Sequence, residues 1–185
     1  LRWDQDPGRP ATINVGDKPR GIVSDGTYVW VANSGTNSIS KIDPSTNTVV
    51  ATVEVGNGPT GLAFDGVAIW VTNVHDDNVA KVNPTTDSVI EHVDVQDRPG
   101  AIAFDGRYLW IANEGSDTLS KVDSNLDRLE GTVNAPGDPQ GIVFDGTHLW
   151  VTHLTEGIVS KVNATSESVE GFVVVGDEPM GIAYD

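Results

Sequence analysis

The chain has 185 residues, 38% hydrophobic and 21% charged, with no cysteine; this is a globular composition that excludes a disulfide framework and a thiolate metal site. Eleven Lys and Arg stand against 27 Asp and Glu, a net charge of -16. That charge repels nucleic-acid phosphates and anionic membrane surfaces, and no run of about 18 apolar residues is present to cross a bilayer, so neither nucleic acid nor membrane insertion is expected.

In chain order, residues 1–10 read as an N-terminal linker or cap and residues 11–185 as one repeat array. The segment "ATINVG" is followed by repeats over about 20–59, 60–99, 100–139 and 140–179, and by a partial copy over 180–185. The copies align without insertion or deletion, which places Trp30, Trp70, Trp110 and Trp150 at one step and Pro19, Pro59, Pro99, Pro139 and Pro179 at the same step. A fixed period of this size marks a repeat architecture.

Each period holds four short β-patterned runs and no helical one. In the second copy "TGLAF" ends at the turn pair Asp65-Gly66, "AIWVTN" and "NVAKVN" follow, and Asn83-Pro84 precedes "SVIEHVDV". All four are strand length, rich in Val, Ile and aromatics, and separated by Gly, Pro or Asx turns. The predicted unit is therefore a four-stranded antiparallel meander. Runs such as "VWVA" and "LWIA" are apolar at both parities, as in a sheet covered on both faces, so the meanders must stack. The fold class that follows is all-β: four β-propeller blades with a partial blade at each end.

Positional chemistry fits that architecture. The first strands open with Gly21, Gly61, Ala101, Gly141 and Gly181, small residues suited to crowding at a central axis. The first copy's fourth strand alternates, which sets Val49, Val53 and Val55 on one face and Val50, Thr52 and Glu54 on the other. The Trp column reads as core between blades, each indole N–H needing one acceptor, in preference to a ligand-stacking platform. Lys41, Lys81, Lys121 and Lys161 recur at one point of the third strand, and Asp25, Asp65, Asp105 and Asp145 recur with them; the expected pairing is an ion pair within each blade.

Function is sought where the repeat is broken. The loops after the second strands read "NSGTN", "NVHDD", "NEGSD" and "HLTEG", and they share a face with the segments that lead into the first strands. Asn33, Asn73 and Asn113 read as turn asparagines in left-handed backbone, a role given up once for His153. His75, Asp76, Asp77, Glu114, His153 and Glu156 form the loop-face inventory, the residue types of a divalent-metal or acid–base site. Sheets stack about 10 Å apart, so His75 and His153, two blades apart, lie roughly 20 Å from each other, which favours solvated loop residues over a shared metal. His92 on an outer strand and His148 on the opposite face stand outside this set.

The stretches "VWVANSG", "IWVTN", "LWIANEG" and "LWVTH", each followed by "SKID" or a close variant, an Asx turn and a "V.V...P.G.AFDG" pattern, resemble the YVTN-type β-propeller repeats of bacterial and archaeal surface and periplasmic proteins. The resemblance covers about residues 11–185. It implies an extracellular, periplasmic or cell-surface location and a noncatalytic scaffold or binding module with a protein, small-molecule or glycan ligand and no cofactor. A more distant similarity is to the streptogramin (virginiamycin B) lyases, propellers that cleave a cyclic depsipeptide with magnesium, histidines and a glutamate. It implies the alternative of a lyase or hydrolase at the loop face, using His75, Glu114 and His153 with magnesium or another divalent cation.

"ATINVG" and "MGIAYD" contribute one outer and one inner strand, too few to build a common blade. An open blade face, four strands about 4.8 Å apart and about 17 Å long, measures several hundred Å² and is large enough to associate. Either self-association or further blades from a longer parent chain is expected. For nucleic acid, a gel-shift titration with generic duplex DNA at about 150 mM salt should show no complex. A clear shift would contradict the reading of the charge.

Overall fold

A computed structural model describes residues 12–184; the expected N-terminal linker or cap, residues 1–10, lies outside the described residues together with Ala11 and Asp185. The described chain forms four separate antiparallel sheets, each a meander in sequence order. The first blade holds β1 (Pro19–Ser24), β2 (Val29–Asn33), β3 (Ser38–Asp43) and β4 (Thr48–Glu54). The second holds β5 (Pro59–Phe64), β6 (Ile69–Asn73), β7 (Asn78–Asn83) and β8 (Ser88–Asp94). The third holds β9 (Pro99–Phe104), β10 (Tyr108–Asn113), β11 (Thr118–Asp123) and β12 (Arg128–Asn134). The fourth holds β13 (Pro139–Phe144), β14 (His148–His153), β15 (Ile158–Asn163) and β16 (Ser168–Val174).

Neighbouring blades touch most closely at their inner strands, β1 to β5 to β9 to β13, and least at their outer ones, so the sheets fan out from an axis. Close approach there needs small residues. A Cβ on Gly61 would run into the carbonyl oxygen of Gly100 on the next inner strand. The expected end strands are not formed: residues 12–16 and 180–184 adopt no regular strand. An outer strand pairs only with the third strand of its own blade and an inner strand only with the second, and neither partner is present for these segments among the described residues.

The core is three interfaces rather than one centre. Trp30, Ile39 and Val53 of the first blade pack with Leu62, Ile69, Val71 and Val82 of the second, and the same pattern repeats around Trp70 and Trp110. Trp30, Trp70 and Trp110 thus each belong to the interface with the following blade. Each indole N–H is satisfied within its own blade: the four indole nitrogens donate to Asp25, Asp65, Asp105 and Asp145 at 2.7–2.8 Å. These aspartates also cap their β-turns, with Asp25 accepting from the amides of Thr27 and Tyr28 at 2.8 and 2.6 Å. Burial pushes the Asp25 carboxyl up, but the donated hydrogen bonds from Tyr28, Trp30 and Thr27 outweigh it and hold the group below its usual value. The Trp150 indole is the foremost cause that draws Asp145 down to about 2.

With the aspartates so engaged, the expected ion pair within each blade does not form. Three of the four lysines reach across the interface instead: Lys41 to Asp87 at 2.8 Å, Lys81 to Asp127 at 2.6 Å and Lys121 to Glu167 at 2.6 Å. Lys41 also donates to the carbonyl of Pro84 at 2.7 Å, and Lys81 to that of Ser124 at 2.9 Å. Each ammonium sits over the aromatic rings of its own blade, Lys41 at 4.3 Å from Tyr28 and 5.1 Å from Trp30. One cation therefore ties a blade's tryptophan to the next blade's outer turn.

A second correction concerns the outer strands. In the first blade Lys41 faces Ala51 but Ile42 faces Val49, so Val50 is an extra, bulged residue. A bulge of one residue reverses the facing of what precedes it. Val49 therefore points away from Val53 and Val55, toward the opposite face, as its counterpart Val89 does when it packs into the first interface.

The outward face of the fourth blade has no blade against it among the described residues. Trp30, Trp70 and Trp110 are fully buried, whereas Trp150 is only half-buried, so the four are not equivalent as their common step predicts. Val53 and Val133 are 5% and 7% exposed, but Val173 at the same place is 54% exposed. Trp110→Ala is expected to lower stability by about 3–5 kcal/mol, the usual cost of emptying a buried aromatic site. Trp150→Ala should cost less than half as much, because the ring already meets solvent. Urea unfolding of both variants measures this, and equal losses would contradict the interface assignment.

Candidate functional site

The inner strands and residues 180–182 line a central channel of about 630 Å³, walled by Ile22, Leu62, Ile102, Ile142 and Ile182. On the face of the β2–β3 type loops its mouth continues into a pocket of about 350 Å³. The amide of His75 donates to the Asn57 carbonyl at 3.2 Å and that of Glu114 to the Arg98 carbonyl at 3.0 Å. These bonds join each hairpin to the segment entering its own blade, so both sets of loops emerge together as the repeat implies.

Glu114 and His75 line this pocket with Lys18, Arg20, Arg98 and Gln140. Glu114 bends inward because its own inner strand makes room: a Cβ on Gly100 would lie 2.8 Å from Glu114 Oε1. His75 uses Gly58 in the same way, where an added Cβ would lie 2.7 Å from the imidazole Cδ2. Arg98 Nη2 donates to Glu114 Oε2 at 3.3 Å. Burial pushes the Glu114 carboxyl above its usual value, and Asp138 adds to this, against the pull of Arg98, Gln140 and Arg20. The pocket thus offers cationic donors, an amide and a carboxylate to a polar ligand.

Arg20, Arg98, Lys18 and Gln140 lie outside the loop-face set that the sequence suggests. A signal was available, since the inner-strand position that reads Arg20, Thr60, Gly100, Gln140 and Met180 is the least repeated place in an otherwise uniform strand.

The remaining loop-face residues lie elsewhere or are committed. Asp76 Oδ2 accepts from the Asn57 amide at 2.7 Å, and Asp77 Oδ1 accepts from the Arg98 amide at 2.9 Å. Asp77 has φ 51° and Asn37 has φ 55°, so left-handed backbone falls four residues after the asparagines expected to adopt it. Asn33, Asn73 and Asn113 instead close their second strands fully buried. Asn33 and Asn113 each donate across the hairpin at 2.9 Å, to Ser40 and to Ser120.

His153 substitutes for the asparagine in that same role. Its Nε2 lies 2.7 Å from Ser160 Oγ, the ring is 2% exposed, and Nδ1 is buried with no partner at hydrogen-bond geometry among the described residues, as is the amide oxygen of each equivalent asparagine. A Ser–His pair is present, but it is sealed inside the hairpin and does not line the mouth. Glu156 is exposed beside Gly137. Among the described residues no group of three or more His, Asp and Glu side chains is arranged to hold a metal ion. His75 and Glu114 share the pocket, and His153 does not join them.

Burial also pushes the His153 imidazole below its usual pKa, against the pull of the Pro136 backbone and of Glu156 and Asp117. The unfolded chain takes up this proton at about 6.5 while the folded chain resists it, so stability is kept above that pH and lost as pH falls toward the folded-state value. His153→Asn should retain the Ser160 hydrogen bond, and its stability relative to the parent should rise as pH is lowered from about 7 to about 5. Thermal unfolding across that range tests it; a constant difference would show that the ring is not buried neutral.

Compared with protein-family models and with curated proteins, the sequence matches none. Among solved structures, a chain of the Kuenenia stuttgartiensis hydrazine synthase is similar over 90% of this chain, with a TM-score of 0.80 and 22% identity. This chain spans about half of that one, covering 52% of its length. Such a likeness establishes the propeller-like fold of repeated four-stranded blades and carries no activity with it.

Proposed function

We propose that this chain is a noncatalytic propeller module that binds a polar ligand at the loop-face mouth of its channel. The observation that carries this is the gathering of repeat-breaking residues at one place. Residues that recur in every blade build interfaces, whereas Arg20, Arg98, Gln140, Glu114 and His75, which do not recur, converge on one pocket. In a chain of net charge -16, a mouth carrying Lys18, Arg20 and Arg98 favours a ligand with an acidic or strongly hydrogen-bonding group, a carboxylate-bearing peptide or a glycan among them. The resemblance to YVTN-type repeats supports a place on the bacterial or archaeal cell surface or in the periplasm, where such a module acts as a scaffold or receptor.

The alternative of a metal-dependent lyase or hydrolase finds less support, because it needs His153 at the surface and that ring is enclosed. Amide-resolved NMR titration with acetate, phosphate, a short acidic peptide and a disaccharide is the test. At least one probe should shift Arg20, Arg98, Gly100 and Gln140 together, and Arg20→Ala with Arg98→Ala should weaken its binding by about tenfold, the equivalent of 1.4 kcal/mol. Shifts confined to other surfaces, no shifts at all, or binding unchanged by the double variant would contradict the proposal.

A further inference from the structure

Three complete interfaces show what the Trp-bearing face of a blade receives. It takes apolar residues from the next blade's first, second and third strands, and it delivers a lysine to a carboxylate on the next blade's outer turn. That carboxylate always occupies the same left-handed position, Asp87 at φ 51°, Asp127 at φ 50° and Glu167 at φ 57°.

The fourth blade's face is half supplied. Thr152 Oγ1 donates to the Met180 carbonyl at 3.0 Å, as Thr72 Oγ1 donates to the Gly100 carbonyl at 2.6 Å in a complete interface. Residues 180–184 therefore already stand where the next inner strand belongs. The rest is absent among the described residues: Val173 and Val175 are 54% and 53% exposed, and Lys161 finds only Glu170 of its own outer strand at 3.9 Å. Lys161 also lies 5.8 Å from the Trp150 ring, farther than the 5.0–5.2 Å of its three counterparts, as befits a cation without an acceptor across an interface.

A second copy of this chain is a poor fit to that face. Docked head to tail, its first blade would bring Asn47, at φ 56°, to the place of the carboxylate, and an amide cannot neutralise Lys161.

We propose that the Trp150 face is the docking surface for three further strands that complete a blade on residues 180–184 and present a carboxylate at the left-handed position of their outer turn, with Lys161 as the residue that recognises it. The occupant is thus a blade of this repeat type with an acidic outer turn, and not another copy of this chain.

Two experiments decide it. Sedimentation of the 185-residue chain at about 100 μM should show a monomer; a head-to-tail assembly abolished by Val173→Glu would identify a second copy as the occupant and overturn the proposal. In the second, a copy of residues 106–137 is joined directly after Asp185, which supplies three strands and a second Asp127 in register. The extended chain should unfold at a temperature several degrees higher and should protect Trp150 from acrylamide quenching, read as the signal lost on Trp150→Phe. Asp→Asn at the added turn should lower that unfolding temperature in the parent background and leave it unchanged when Lys161→Met is also present. Overturning results are no gain in unfolding temperature or Trp150 protection, or an equal effect of Asp→Asn in both backgrounds.

Discussion

The structure depends on one contact, the meeting of each tryptophan face with the blade that follows. The indole is anchored from behind by its own turn aspartate and covered from above by its own lysine, whose charge is spent on the next blade's turn. Hydrophobic burial supplies the bulk of the stabilisation, and a partly buried ion pair is a modest contributor on its own. Its value here is in register: a carboxylate at the left-handed position of the outer turn can meet the lysine only when two blades stand at the correct height and rotation. With cores made only at interfaces, the blades behave as a one-dimensional array in which each unit is stabilised by its neighbours.

That division of labour also separates structure from function. Positions that serve the interface must repeat, and they do so at Trp, Lys and turn Asp. The mouth of the channel carries no such demand, since its residues face the axis or the solvent. Charge has collected there against the net sign of the chain, and two glycines, Gly58 and Gly100, have opened room for His75 and Glu114. A ligand arriving at the mouth would meet donors carried on strand ends and short strand-entry segments, which lowers the ordering cost of binding.

Much of the fold was legible because strand runs and turn residues recur with an unvarying step, and two-sided apolar strands require stacked sheets. What escaped was whatever depended on relations between blades. The aspartates nearest the lysines in sequence are occupied by the indoles, and the acceptor of Lys41 and of Lys81 stands 46 residues on, across an interface that no local pattern describes. Simple alternation misplaces Val49, because a bulge with no side-chain signature reverses its facing. His153 departs from asparagine in the sequence, but its ring nitrogen, 2.7 Å from Ser160 Oγ, performs the asparagine's own task. The candidate site was half visible: Glu114 and His75 stood out as unusual loop residues, while Arg20 and Gln140 were hidden by lying within a strand already understood as structural.

The dependence of each blade on its successor is tested most directly by native-state hydrogen exchange of the second strands, whose amides sit at the heart of each sheet. Amides of β2, β6 and β10 should exchange only through large openings, and those of β14, next to the uncovered Trp150 face, should exchange through a distinctly cheaper one. Equal protection in all four strands, or greatest protection in β14, would contradict the claim that a blade is stabilised by the neighbour that covers its tryptophan.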